Sequence, residues 1–128
     1  MPIKNLLFLA ACTGALAVVL GAFGAHGLKS ILTPESLATW QTAVFYHLIH
    51  SILVVGICLR LLVDGTRRLF LAAYSLCIGI FLFSGSLYIL ALGGPAFLGP
   101  LTPIGGVFLI LGWLSIAAYA LRLPAPDR

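Results

Sequence analysis

Residues 69–92 read LFLAAYSLCIGIFLFSGSLYILAL, an uncharged run bounded by Arg67-Arg68 before it and Gly93-Gly94-Pro95 after it. At about 1.5 Å of rise per residue, one helix of this length crosses the ~30 Å hydrocarbon core of a bilayer. Lipid offers the backbone no hydrogen bonds, and a helix lets a single segment satisfy its own. Three runs of the same kind lie on either side. Toward the N-terminus they cover about residues 5–25, after Lys4, and 38–60, up to Arg60; toward the C-terminus the last covers about 103–122 and ends at Arg122.

The whole chain agrees with these runs. Of its 128 residues 62% are hydrophobic and 8% charged, against roughly 45–50% apolar and 25% charged in soluble domains. The mean hydropathy is +1.18. A soluble domain of this size cannot hide so much apolar surface from water. The expected fold is a single all-α domain, an integral membrane four-helix bundle, whose first partner is the lipid bilayer. The net charge of +4 does not indicate nucleic acid, because the cations sit singly or in pairs at the ends of the runs and form no stripe.

Turn and cap residues set the boundaries. Thr33 is placed to cap a helix with Pro34 at its first position and Glu35 against its dipole, which extends the second helix beyond its span. Trp40 is then expected as an interfacial anchor. Asp64-Gly65-Thr66 links the second and third runs, Thr102-Pro103 repeats the cap-and-proline signal before the fourth, and Pro124-Ala125-Pro126 follows it. With four crossings, Lys4, Arg60, Arg67, Arg68, Arg122 and Arg128 share one side and Lys29 alone lies on the other, so the positive-inside rule predicts cytoplasmic N- and C-termini. Leu9-Ala10-Ala11-Cys12 matches a lipobox, but the preceding apolar stretch is too short for a signal peptide and a spanning helix continues after it. Cys12, Cys58 and Cys77 show no metal or disulfide spacing and read as small apolar residues.

Leu7-Phe8-Leu9-Ala10-Ala11 recurs as Leu69-Phe70-Leu71-Ala72-Ala73, and a Thr-Pro pair opens the second helix of each half. The pattern fits two repeated two-helix halves in the same orientation. Leu, Phe and Ala runs also recur by chance in membrane segments.

Polar side chains inside lipid point to sites, because they cost free energy unless partnered. His47 and His50 share one face of the second helix. His26, Ser84, Ser86 and Tyr88 are expected at a similar depth, toward the outer end, so these six form a candidate polar pocket opening outward. Gly14, Ala17, Gly21, Gly105 and Gly112 are small residues that allow close helix contact. The uncharged connection 93–103 is either a turn on the headgroups or a lid over the pocket. His26, His47 and His50 are candidate metal or haem ligands, though no spacing specifies one and the cofactor stays unknown. A Ser84 or Ser86 nucleophile with a histidine and Glu35 is the enzymatic alternative. The plain structural reading makes the same residues hydrogen-bonding glue between helices.

Gly21-Ala22-Phe23-Gly24-Ala25-His26-Gly27-Leu28, Trp40-Gln41-Thr42-Ala43 with Tyr46-His47 and His50, Leu82-Phe83-Ser84-Gly85-Ser86-Leu87-Tyr88, and Thr102-Pro103-Ile104-Gly105-Gly106 with Gly112-Trp113 cover nearly the whole chain in order. In these stretches the sequence resembles the domain-of-unknown-function 423 family of small bacterial membrane proteins, whose animal relative is transmembrane protein 256. The resemblance implies a four-helix protein of the bacterial cytoplasmic (inner) membrane and carries no activity with it. Three functions therefore stand open: a binding or carrier module for an ion, small ligand or lipid headgroup; a scaffold that assembles with itself or with other membrane subunits; and an outward-facing enzyme.

Overall fold

Thr33 is extended and its hydroxyl oxygen accepts the Ser36 N–H at 3.2 Å. With Pro34 at the first helical position this starts α2, Pro34–Leu61. The computed structural model describes residues 1–124; Asp127, Arg128 and the rest of the tail after Pro124 lie outside them. Its other elements are α1 (Ile3–His26), α3 (Arg67–Ala91), a 3-10 turn at Ala96–Leu98, and α4 (Leu101–Ala120). All four long helices have the length and apolarity to cross a bilayer, and no strand occurs among the described residues. The third span begins two residues before the expected Leu69, because Arg67 and Arg68 enter the first turn behind the extended Thr66.

Each helix packs on the next in sequence. α1 and α3 both lie against α2 and hardly touch each other, while α4 packs mainly on α3. Small residues decide these approaches. On α1, an added Cβ at Gly14, Gly21 or Gly24 would meet Ser51, Val44 or the Trp40 ring of α2, at 3.6, 3.2 and 2.6 Å. On α3 and α4 the fit is reciprocal, with Leu109 seated over Gly79 and Leu76 over Gly112, at 2.5 and 2.6 Å from the missing Cβ positions. Gly105 faces the backbone of Leu82 and Phe83 directly. Close packing of this kind replaces the hydrophobic drive that lipid removes.

The expectation for Trp40 is corrected. Its ring is 3% exposed, fills the space beside Gly24, and donates its indole N–H to the Leu20 carbonyl at 2.9 Å. It locks α2 to α1 instead of anchoring in headgroups. The two Thr-Pro openings also differ in use. Thr33 is exposed and caps α2 through the Ser36 N–H, whereas Thr102 sits inside the first turn of α4 with its hydroxyl 2.6 Å from Ser86 Oγ.

Two apolar clusters form the interior. The larger joins Leu6 and Ala10 of α1 with Val54, Ile57, Cys58 and Leu61 of α2, much of α3, and Leu109 of α4. The smaller lies toward the α1–α2 connection around Leu28, Trp40 and Ala91. Buried His47, His50, Ser51 and Ser84 occupy the level between them. Cys58 is buried as expected, whereas Cys12 faces outward from α1.

Candidate functional site

The first two turns of α2 after Trp40 bring Ala43 and His47 to one buried edge, and the next turn adds His50 and Ser51. Each of these meets a different neighbour. Ser84 of α3 donates to the Ala43 carbonyl at 2.8 Å, a bond between two helix backbones mediated by one hydroxyl. Ser51 reaches Thr13 of α1 at 3.4 Å, and Thr13 itself donates to the Ala10 carbonyl at 2.9 Å.

His50 is fully engaged. The indole N–H of Trp113 on α4 donates to its Nε2 at 3.3 Å. An indole can only donate, so Nε2 accepts and the ring proton sits on Nδ1. From there it is donated to the Tyr46 carbonyl at 2.7 Å. With both nitrogens used, this imidazole has no lone pair for a metal.

His47 stands differently. Its Nδ1 lies 3.1 Å from the hydroxyl of Tyr88 on α3, and the ring borders the backbone of Thr13. Tyr88 in turn packs edge-on against Trp40, with ring centroids 4.7 Å apart. The pair forms part of the floor of a groove between α1 and α3. Leu9, Thr13, Leu16 and Leu20 line one wall, Cys77, Ile80, Phe81, Ser84, Gly85 and Tyr88 the other, and His47 belongs to α2 beneath them. The cavity measures about 340 Å³, within the ~300–1,000 Å³ typical of small-molecule sites. It exists because α1 and α3 share α2 as a neighbour without closing on each other.

Every lining residue belongs to a helix, and none to the α1–α2 or α3–α4 connection. The groove therefore runs along the flanks of α1 and α3, and none of residues 93–103 lines it. Gly93 takes φ +82° and the Gly94 N–H returns to the Ile89 carbonyl at 2.9 Å, so this connection caps α3.

Of the six residues expected to share a pocket, His47, Ser84 and Tyr88 do so. His50 points to α4, and Ser86 lies buried at the α3–α4 seam with bonds to Thr102 and the Phe83 carbonyl. His26 is exposed at the end of α1, as is Glu35 at the start of α2, and no ion pair joins them among the described residues. There, too, no three His, Cys, Asp or Glu side chains gather as a metal set. Sequence reasoning missed Thr13, Trp113 and Ser75, the last of which donates to the Phe108 carbonyl at 2.7 Å across the α3–α4 seam. Polar residues spaced along one helix gave the signal, but nothing in one chain marks the residue each of them meets.

Four spanning helices held together by small residues and buried hydroxyls define a multi-pass membrane protein. Residues 20–106 match the family model described as "Protein of unknown function (DUF423)", and the chain belongs to that family. It is 41% identical over 120 residues to the UPF0382 membrane protein YwdK of Bacillus subtilis, covering 93% of this chain and 98% of that one. It is 42% identical over 112 residues to a UPF0382 membrane protein of Haemophilus influenzae, covering 87% and 89%. Identity to the UPF0382 inner membrane protein YgdD of Escherichia coli is 33% over 123 residues, covering 96% and 94%. No solved structure matches the chain.

Proposed function

We propose that the chain is a membrane-embedded binding module for a lipid-soluble molecule that carries one hydroxyl, carbonyl or carboxyl group. The groove between α1 and α3 supports this reading: its lining is mainly Leu, Ile and Phe side chains, and His47 and Tyr88 stand together among its few polar residues. Apolar walls disfavour a hydrated ion, which would lose its shell to hydrocarbon. A ligand entering from the acyl chains would lay its apolar body along Leu16, Leu20, Ile80 and Phe81 and bring its polar group to the imidazole and phenol. The distribution of Lys and Arg supports cytoplasmic termini.

Gly85 gives a clean test, because a Cβ added there meets nothing within 4 Å while the residue lines the groove. Gly85→Leu starts from a Cβ that has room and projects its side chain into the groove. Wild-type protein purified from membranes in mild detergent and extracted with organic solvent should release a stoichiometric lipid-soluble molecule, and Gly85→Leu should release none. Equal yields from the two proteins contradict the reading.

A second reading, a scaffold within a homo-oligomer or with other membrane subunits, draws on the saturation of His50, Ser84 and Ser86 by interhelical bonds. It expects an intact fold, a self-associated or hetero-assembled state in crosslinking, and no extractable ligand.

A further inference from the structure

We propose a separate site for the phosphate headgroup of an anionic phospholipid in the cavity where the α2–α3 turn meets the end of α4. That cavity, about 570 Å³, is lined by Asp64, Thr66, Arg67, Arg68, Leu71, Tyr119, Arg122, Leu123 and Pro124. Its charge is lopsided. The carboxylate of Asp64 is already occupied, accepting from Arg60 at 3.1 Å and from the Tyr119 hydroxyl at 3.2 Å. Arg68 spends one arm on the Ala118 carbonyl at 3.2 Å, which fixes the guanidinium at the wall and leaves its charge in place. Among the described residues no carboxylate pairs with Arg67, Arg68 or Arg122.

A second observation comes from Thr66. It occupies the N-cap of the 25-residue α3 in extended conformation, yet its side chain makes no capping bond. Its Oγ1 is buried and has no hydrogen-bond partner among the described residues. A buried hydroxyl without a partner is unusual and calls for one. Phosphate oxygens brought against the first N–H groups of α3 would supply an acceptor beside it, where the helix dipole also favours negative charge.

The apolar surroundings distinguish a lipid from a free anion. Leu71, Tyr74 and Ile78 lie on one face of α3 at helical spacing, all outward-facing, and run from the cavity toward the membrane interior. A headgroup held at Arg67 and Arg122 would place an acyl chain along that stripe. Basic pockets at helix ends near the cytoplasmic surface suit such headgroups.

The test is native mass spectrometry of the full chain in detergent, titrated with dioleoyl phosphatidylglycerol or dioleoyl phosphatidylcholine. The expected result is preferential retention of the anionic lipid. Arg67→Gln and Arg122→Gln should each weaken it by about fivefold, the equivalent of about 1 kcal/mol per basic residue. Lys4→Gln, which removes a charge from the same end outside the cavity, should leave it unchanged. Arg122 lies beyond the last helix, so its variant guards against a folding defect in the other. Equal retention of both lipids overturns the proposal, as does an equal loss in Lys4→Gln. Displacement of the lipid by millimolar inorganic phosphate assigns the cavity to a free anion and overturns the lipid.

Discussion

Trp113 donates its indole N–H to His50 Nε2, and that one bond fixes the histidine's tautomer and ties α4 to α2, two helices that are not neighbours in the chain. Hydrogen bonds between membrane helices average ~0.6 kcal/mol and reach ~1.7. Trp113→Phe should therefore lower stability by about 0.5–2 kcal/mol, with the orphaned His50 nitrogen as the main cost. His50→Ala should cost about 1–3 kcal/mol, because it removes two bonds and leaves a void. Unfolding in mixed micelles of rising dodecyl sulfate content measures both, and values near zero would show that the seam does not depend on this pair.

Gly105 and Gly85 make opposite predictions from the same substitution. A methyl at Gly105 runs into the Leu82–Phe83 backbone, which has no rotamer to escape to, whereas one at Gly85 meets open space. Gly105→Ala should destabilise by at least about 1–3 kcal/mol, the range for overpacking. Gly85→Ala should be neutral or stabilise by up to about 1 kcal/mol through helix propensity. The same denaturation series ranks them, and similar losses for both would mean the α3–α4 contact is looser than described.

At the other end, Arg60 and Asp64 form an ion pair whose side chains are 41% exposed. Exposure and salt screen such a pair, so Asp64→Asn should cost under about 1 kcal/mol. The difference from wild type should shrink between low and high salt in thermal melts. A large, salt-insensitive loss would point instead to the Tyr119 bond at 3.2 Å.

Four spans and their order were legible because hydrocarbon imposes a length and an apolarity that few other environments do. The small-residue stripes were legible for a similar reason, since only Gly and Ala permit the closest approaches. The partners of the polar groups were not. Periodicity puts His47 and His50 on one face of α2, but their directions diverge enough that one meets Tyr88 of α3 and the other Trp113 of α4. Trp40 reads as an anchor by its place in the chain and serves as a plug because Gly24 stands opposite. Thr102 shares its local signal with Thr33, yet Ser86 draws its hydroxyl inward. In each case a residue on another helix decides the outcome, and the residue pattern along one helix does not show which helices adjoin.

The most direct test of the groove is the mass of lipid-soluble material retained by His47→Leu compared with His50→Ala, both purified in the same mild detergent. His47 lines the cavity and His50 is sealed against Trp113. The first variant should lose a ligand that wild type and the second variant keep. Retention by both, or equal loss from both, would contradict it.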